Sequence, residues 1–362
     1  MENSSKIADK LIYSSAGKIE SIFLNSINPT NSTKEKEEFF SAQDRFDYYE
    51  PKYKYLPEVD FSEQKNQLAK ALQLLESNGI TEKILKNKAE QILSEIALVE
   101  NRNTKKFSNS SKKSYKKPTA KNIKTANEIL ARPIKPTENK LTPAELKKQL
   151  EEKLSKAKMT YTIVLSNQMS AKASVHPSER KIKLNENAKF EDCAAERLFV
   201  HEVETHIYRN LNGLSQPIKS LALGFGGENL ETEEGLAAFN ETKASVSSEQ
   251  QMRTYAGRLI AVDYALKHNF SETYDYLKTF FDNEEAYTIT QRVKRGVPYG
   301  EKGAFTKDHC YLSGLIKLQE YYEKEKPILD LYIGKISIQE AKYAKKLPCI
   351  VEPTYLPRWL LK

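Results

Sequence analysis

Apolar residues recur at three- and four-residue spacing from Lys6 to Asn25, the rhythm of a helix that buries one face. The same rhythm predicts helices over about 61–77 and 81–100. Between these and the first helix, Pro51-Lys52-Tyr53-Lys54-Tyr55-Leu56-Pro57 sets two prolines around alternating Tyr and Lys, which predicts an extended segment. Thr142-Pro143-Ala144-Glu145 predicts a helix start: threonine caps, proline loses nothing by lacking an N–H, and glutamate closes the capping box. That helix should run to about Lys158. The texture then changes. Met159–Ser166, Ala171–His176 and Lys181–Leu184 are short, alternating and partly β-branched, and they predict a small antiparallel sheet. Helical periodicity returns from Phe190 to Asn212, with Gly213 as the expected C′ residue. From Glu231 onward helix follows helix, with Thr232, Ser248 and Ser271 as N-cap candidates and breaks near Gly296–Gly303, Pro327 and Pro348. A mainly helical chain with one small sheet is an α+β protein. It shows no internal repeat and no heptad seam.

Composition narrows the class. In 362 residues, 39% are hydrophobic, with 20 Tyr and 14 Phe, enough to build a sizeable core. Thirteen glycines and 14 prolines argue against fibrous repeats and a turn-rich all-β fold. No run of about 18 apolar residues exists, so no membrane-spanning helix and no membrane partner are expected. Lys6, Asp9 and Lys10 interrupt any apolar signal core near the N-terminus, so no secretory signal is expected. Cys193, Cys310 and Cys349 are odd in number and lack CxxC spacing. They suit a reducing, cytoplasmic compartment and exclude a disulfide scaffold or a cysteine-ligated zinc ribbon.

The formal charge of +8 points to an acidic partner: nucleic acid, a membrane surface or an acidic polypeptide. Residues 104–124 carry eight lysines and no acidic residue. They read as a solvated loop or linker, or as a patch that attracts an acidic ligand. A non-catalytic basic protein that engages nucleic acid or acidic tails through this window is the alternative to an enzyme. No recognisable nucleic-acid module accompanies it.

The chemistry-bearing pattern is His201-Glu202-Val203-Glu204-Thr205-His206. Only five histidines occur, at 176, 201, 206, 268 and 309, so His-Glu-x-x-x-His should arise by chance in fewer than roughly one in a hundred such chains. Ala194, Leu198 and His201 share one stripe that the helix should bury. An unpaired histidine beside a glutamate is costly there unless something binds them. Zinc suits two imidazoles plus a carboxylate with one open position, and Glu202 would act as general base on the water. The spacing sets a condition. Residues four apart on an α-helix differ by about 40° around the axis, but five apart by about 140°. A π-bulge or broken turn between Val203 and His206 brings the difference back to about 50°. The third ligand is expected from Glu231-Thr232-Glu233-Glu234-Gly235-Leu236-Ala237, with Glu234 first, Glu233 in reserve, and Gly235 allowing close backbone approach. The same acids would also suit an ordinary first helical turn.

These residues, together with Arg209-Asn210-Leu211-Asn212-Gly213 and Glu233-Glu234-Gly235-Leu236-Ala237, resemble the microtubule-associated tyrosine carboxypeptidase family, whose bacterial members carry a QEGLA motif. Pro51–Pro57, Phe107 with Ser111 and Tyr115, Arg292-Val293-Lys294-Arg295-Gly296 and Gly303-Ala304-Phe305-Thr306-Lys307-Asp308 are similar too. Glu233 departs from the bacterial pattern, which has glutamine there. The likeness covers about 25–345. It implies a gluzincin-like zinc metallocarboxypeptidase binding one zinc ion through His201, His206 and Glu234, with Glu202 as catalytic base. It also places 104–124 inside the domain, so the linker reading gives way to one continuous domain. The expected layout is an N-terminal helical extension (1–24), a single domain (25–345, helical over 25–158, sheet and site helices over 159–345) and a C-terminal tail (346–362).

The implied partner is a protein or peptide C-terminal tail, as in the family's best-known substrate, the acidic tail of α-tubulin that ends in tyrosine. An acidic tail suits a basic protein. A carboxypeptidase needs a cation for the terminal carboxylate, and Arg292, Arg295 and Lys307 are the candidates. Tyr299 or Tyr311 is a candidate oxyanion donor. Strand 171–176 is a candidate for pairing with extended substrate, and His176 reads as a strand-end residue. His268 and His309 read as surface or helix-end residues, with His309 near enough to the Thr306-Lys307-Asp308 signature to approach the pocket.

Overall fold

The apolar stripe of the first helix, Asn3–Ile27, puts Ala8, Ile12, Ala16, Ile19, Phe23 and Ile27 into the core of the computed structural model. The structure describes residues 3–361 apart from 77–78, 134–140, 168–171 and 177–178. This helix packs on Ser62–Gln73 and Ile80–Glu100. Its buried Asp9 accepts hydrogen bonds from the backbone N–H groups of Lys219 and Ser220, at 2.8 and 2.9 Å. A further helix, Ser32–Asp44, buries only Glu35, Phe39 and Ala42, too few apolar positions to leave a periodic signal in the sequence. Phe39 nevertheless anchors an aromatic cluster with Tyr49, Phe270, Tyr274 and Tyr287.

The lysine-rich window is helical rather than a loop. Helix Phe107–Tyr115 buries Phe107, Ser111 and Tyr115, and Ala120–Leu130 follows it. The lysines escaped a helix reading because three buried residues at four-residue spacing suffice to dock a short helix. Part of the lysine charge is neutralised within the protein: Lys105 pairs with Glu301, Lys116 with Glu228 and Lys121 with Glu320.

A second, smaller core joins the capped helix Pro143–Lys156 to the sheet and to the histidine-bearing helix. It holds Leu146, Leu150, Leu154, Ile163, Ile182, Leu184, Leu198, Phe199, Val203 and Ile207. Thr142 forms both halves of its capping box. The sheet has three strands: β1 (Thr162–Ser166), β2 (Ala173–His176) and β3 (Lys181–Asn185). Its order is β1-β3-β2, with β1 parallel to β3 and β2 antiparallel to it. The sheet is therefore mixed, not antiparallel. Alternation fixes which residues form strands, but not which strand takes the centre; β3 takes it by burying Ile182 and Leu184 together. Ala171 lies outside the described residues.

Two N-cap expectations shift. The helix that carries Glu233 and Glu234 starts at Gly227, not near Thr232, and runs to Lys243. Asn269, not Ser271, caps Phe270–Leu277 in a capping box with Glu272. Ser248 caps Glu249–Ala265 as expected. No described helix is long and apolar enough to cross a membrane.

Candidate metal centre

The helix that carries the two histidines is built in three pieces: α-helical Ala194–Leu198, π-helical Phe199–Ile207 and α-helical Tyr208–Ser215. The wide turn lies where the five-residue spacing requires it. Thr205 Oγ1 donates to the Val200 carbonyl five residues back, at 3.0 Å, and accepts from the Asn240 amide at 2.8 Å. Tyr332 accepts from Asn240 and donates to the Glu204 carbonyl. This buried network ties the π turn to its neighbours. Gly213 sits within the last helical piece rather than ending it. A Cβ there would meet the Ala222 and Leu221 backbone at 2.6 Å, so its role is close packing.

Opposite runs the helix Gly227–Lys243, buried continuously from Glu231 to Glu241. It crosses Cys310–Glu323 at a glycine pair: a Cβ on Gly235 would lie 2.3 Å from the Gly314 backbone. The close approach expected of Gly235 is thus real. Its partner is another helix.

His201, His206 and Glu234 converge, each offering a ligand atom, and the three atoms lie within 4.8 Å of one another. Glu234 Oε2 stands 3.6 Å from His201 Nε2 and 3.8 Å from His206 Nε2. It is buried without a hydrogen-bond partner. At those distances charge, rather than a hydrogen bond, holds the carboxylate. Burial would raise its pKa, but the two imidazoles and Lys307 hold it down to about 2.

The other ring nitrogens are occupied. His201 Nδ1 donates to Glu241 and His206 Nδ1 donates to Glu233, each at 2.8 Å. Both Nε2 atoms therefore face the shared space, the arrangement of carboxylate-oriented histidine ligands. Burial opposes charge on His201, yet Glu234 and Glu241 outweigh it and lift its pKa to about 10. Glu233 is itself gripped by Arg209 and by Lys335 at 3.2 Å; burial resists, but these cations keep it ionised. Arg209 is fully buried and donates to the Leu331 and Ile336 carbonyls. Two imidazole nitrogens and one orphaned buried carboxylate oxygen suit a zinc ion better than an apolar cavity or a simple ion pair.

Glu202 is half-buried on the same turn and makes no hydrogen bond or ion pair among the described residues. Its charge acts on His201. Arg292 forms a two-pronged pair with the buried Asp308, and Arg295 lies 3.9 Å from the same carboxylate. Lys307 is unpaired among the described residues, and its charge acts on Glu234. Tyr311 also lies within electrostatic reach: burial first, then Glu234, pushes its pKa far above the ordinary value. Tyr299 is exposed under Lys52 and belongs to the surface.

The remaining histidines stand apart. His176 exchanges a hydrogen bond with Ser174 at the end of β2, and His268 stacks on Tyr264. His309 is a helix-end residue but not a surface one. It is buried, donating to the Tyr115 carbonyl and accepting from Ser313. The sequence alone does not single out Glu241 and Arg258, which lie on the helices Gly227–Lys243 and Glu249–Ala265. Only the four-residue spacing of Asn240 and Glu241 behind Gly235–Leu236–Ala237 hinted that this helix stays buried past the motif.

The model of the microtubule-associated tyrosine carboxypeptidase family matches residues 37–362. A protein of Mus musculus and one of Homo sapiens, both named "Putative tyrosine carboxypeptidase MATCAP2", are 28% identical to the chain over 172 residues. The match covers 46% of this chain and only 32% of each relative.

Proposed function

The chain belongs to the microtubule-associated tyrosine carboxypeptidase family, and from that premise we propose that it is a zinc-dependent carboxypeptidase acting on protein or peptide C-termini. The observation that carries this reading is the buried, unpartnered Glu234 oxygen facing two imidazole nitrogens whose other edges are held by carboxylates. His201, His206 and Glu234 would hold the ion. When bound, zinc supplies a Lewis acid for the scissile carbonyl and acidifies a water in its open position.

The chain's own groups then divide the work. Glu202, without a hydrogen bond or ion pair among the described residues, takes the proton of the attacking water and returns one to the leaving amine. Tyr311, kept un-ionised by burial and Glu234, donates to the developing oxyanion. The positive groups Arg292, Arg295 and Lys307 favour the negative end of the substrate. β2 is an edge strand whose outer side is unpaired among the described residues, which suits an extended peptide. The relatives' name points to tyrosine as the released residue, and the net charge of +8 favours an acidic tail such as that of tubulin. Three lysines of the 104–124 window are already paired internally, which weakens the non-catalytic binding alternative.

Metal analysis of the purified protein, followed by mass spectrometry of peptides ending in Tyr, Phe or Glu, tests the proposal. Stoichiometric zinc and loss of one C-terminal residue are expected. A zinc-free protein that still trims peptides would refute the metal assignment.

A further inference from the structure

Three guanidinium groups gather around one buried carboxylate beside the candidate metal centre. Asp308 is gripped by Arg292 through two hydrogen bonds, and Arg295 and Arg258 act on it electrostatically. Arg295 also donates to Asn28 and lies over Phe305. Arg258 differs from both in making no hydrogen bond or ion pair among the described residues. It projects from Glu249–Ala265 with its charged head 5.0 Å from the Tyr311 ring centroid, and its Nε, like that of Arg295, is buried without a hydrogen-bond partner. The other carboxylate that feels it, Glu285, is taken by Gln250 and Thr254.

Arg295 and Asp308 are buried, whereas Arg258 and Arg292 keep partial exposure, so this positive cluster is open to an incoming anion. A planar guanidinium with a free edge is shaped for a carboxylate, which it holds by two parallel hydrogen bonds. Tyr311 links this group to the site. Its ring lies against Arg258, it is stacked on Tyr255 at 5.1 Å, and it feels the charge of Glu234. We infer that Arg258, backed by the Asp308 guanidinium cluster and supported on the face of Tyr311, is the anchor for the terminal carboxylate of the peptide substrate. This deepens the carboxypeptidase reading and rests on it. Arg292 and Arg295, committed to Asp308, act as positioning residues that keep the cluster positive.

The test uses the full chain carrying Glu202→Gln, loaded with zinc, and two fluorescent peptides of one sequence, ending in tyrosine or in tyrosine amide. Fluorescence anisotropy should show the free acid binding at least about tenfold tighter than the amide, as a charge-assisted pair requires. Arg258→Gln should shrink that ratio below about threefold while leaving amide binding, zinc content and melting temperature unchanged. Arg258→Lys, which keeps the charge and the packing on Tyr311 but loses the fork, should fall between and serves if the glutamine variant does not fold. Equal binding of the two peptides by the parent, or a ratio that survives Arg258→Gln, would overturn the anchor. Separately, a wild-type protein that trims no peptide yet shows the Arg258-dependent preference would overturn the peptidase reading and leave the anchor standing.

Discussion

Four glutamates surround the two site histidines in space, and they differ by what each side chain faces. Glu234 points its unpartnered oxygen at both Nε2 atoms, whereas Glu233 and Glu241 hold the Nδ1 edges. Glu202, on the π turn, makes no hydrogen bond or ion pair among the described residues. Glu202→Gln should therefore cut turnover by about 10²–10⁴-fold with zinc content unchanged; elemental analysis beside peptide kinetics reads both. Glu241→Gln should weaken zinc about 10–100-fold without removing a ligand, measured by chelator competition. The pKa of His201, lifted to about 10, sets a pH dependence. Below that value the ring of the zinc-free protein keeps its proton, and zinc must expel it. Uptake at neutral pH should release a proton, and apparent affinity should fall about tenfold per unit as pH drops. Calorimetry in buffers of different ionisation enthalpy shows whether it does. The histidine pair was legible because histidine is rare here. The neighbouring histidines already put Glu234 ahead of Glu233 without the resemblance, but local pattern alone does not fix the choice, since helix phase is invisible without the start at Gly227. Arg258 left no trace, because what singles it out is the lack of a hydrogen bond or ion pair among the described residues, a property of space and not of local sequence.

Helix geometry explains which elements the sequence disclosed. Five-residue spacing between the two histidines demands a wide turn if both are to face one ion, and the π-helix Phe199–Ile207 supplies it. The strands were legible by alternation, but their order was not, since pairing is a long-range choice that local pattern leaves open. The lysine-rich helices were hidden by their exposed faces. At the crossing of Gly227–Lys243 and Cys310–Glu323 the glycines decide helix separation: a Cβ on Gly314 would sit 2.0 Å from the Glu231 carbonyl. Gly314→Ala should force the helices apart and cost about 1–3 kcal/mol, seen in chemical denaturation. The shift would displace Glu234 as well, so zinc affinity should fall with stability.

On the scale of the whole molecule, two hydrophobic cores meet at the histidine-bearing helix. Leu198, Phe199, Val203 and Ile207 face the sheet side, while the histidines face the buried glutamate helix. The segment near the C-terminus closes over the outside: Arg358 pairs with Glu196 and Glu204, and Trp359 donates to Asn240. The candidate metal centre is thus fixed from both sides, which would suit a preorganised catalyst. The overall positive charge should steer acidic tails, so KM for an acidic peptide should rise with salt while that for a neutral peptide of equal length stays nearly constant. The most direct measurement is mass spectrometry of a tyrosine-ended peptide incubated with zinc-loaded protein. Loss of a single C-terminal tyrosine, halted by chelation and restored by zinc, is the predicted result. An intact peptide in the presence of verified stoichiometric zinc, or cleavage at internal bonds instead, would contradict it.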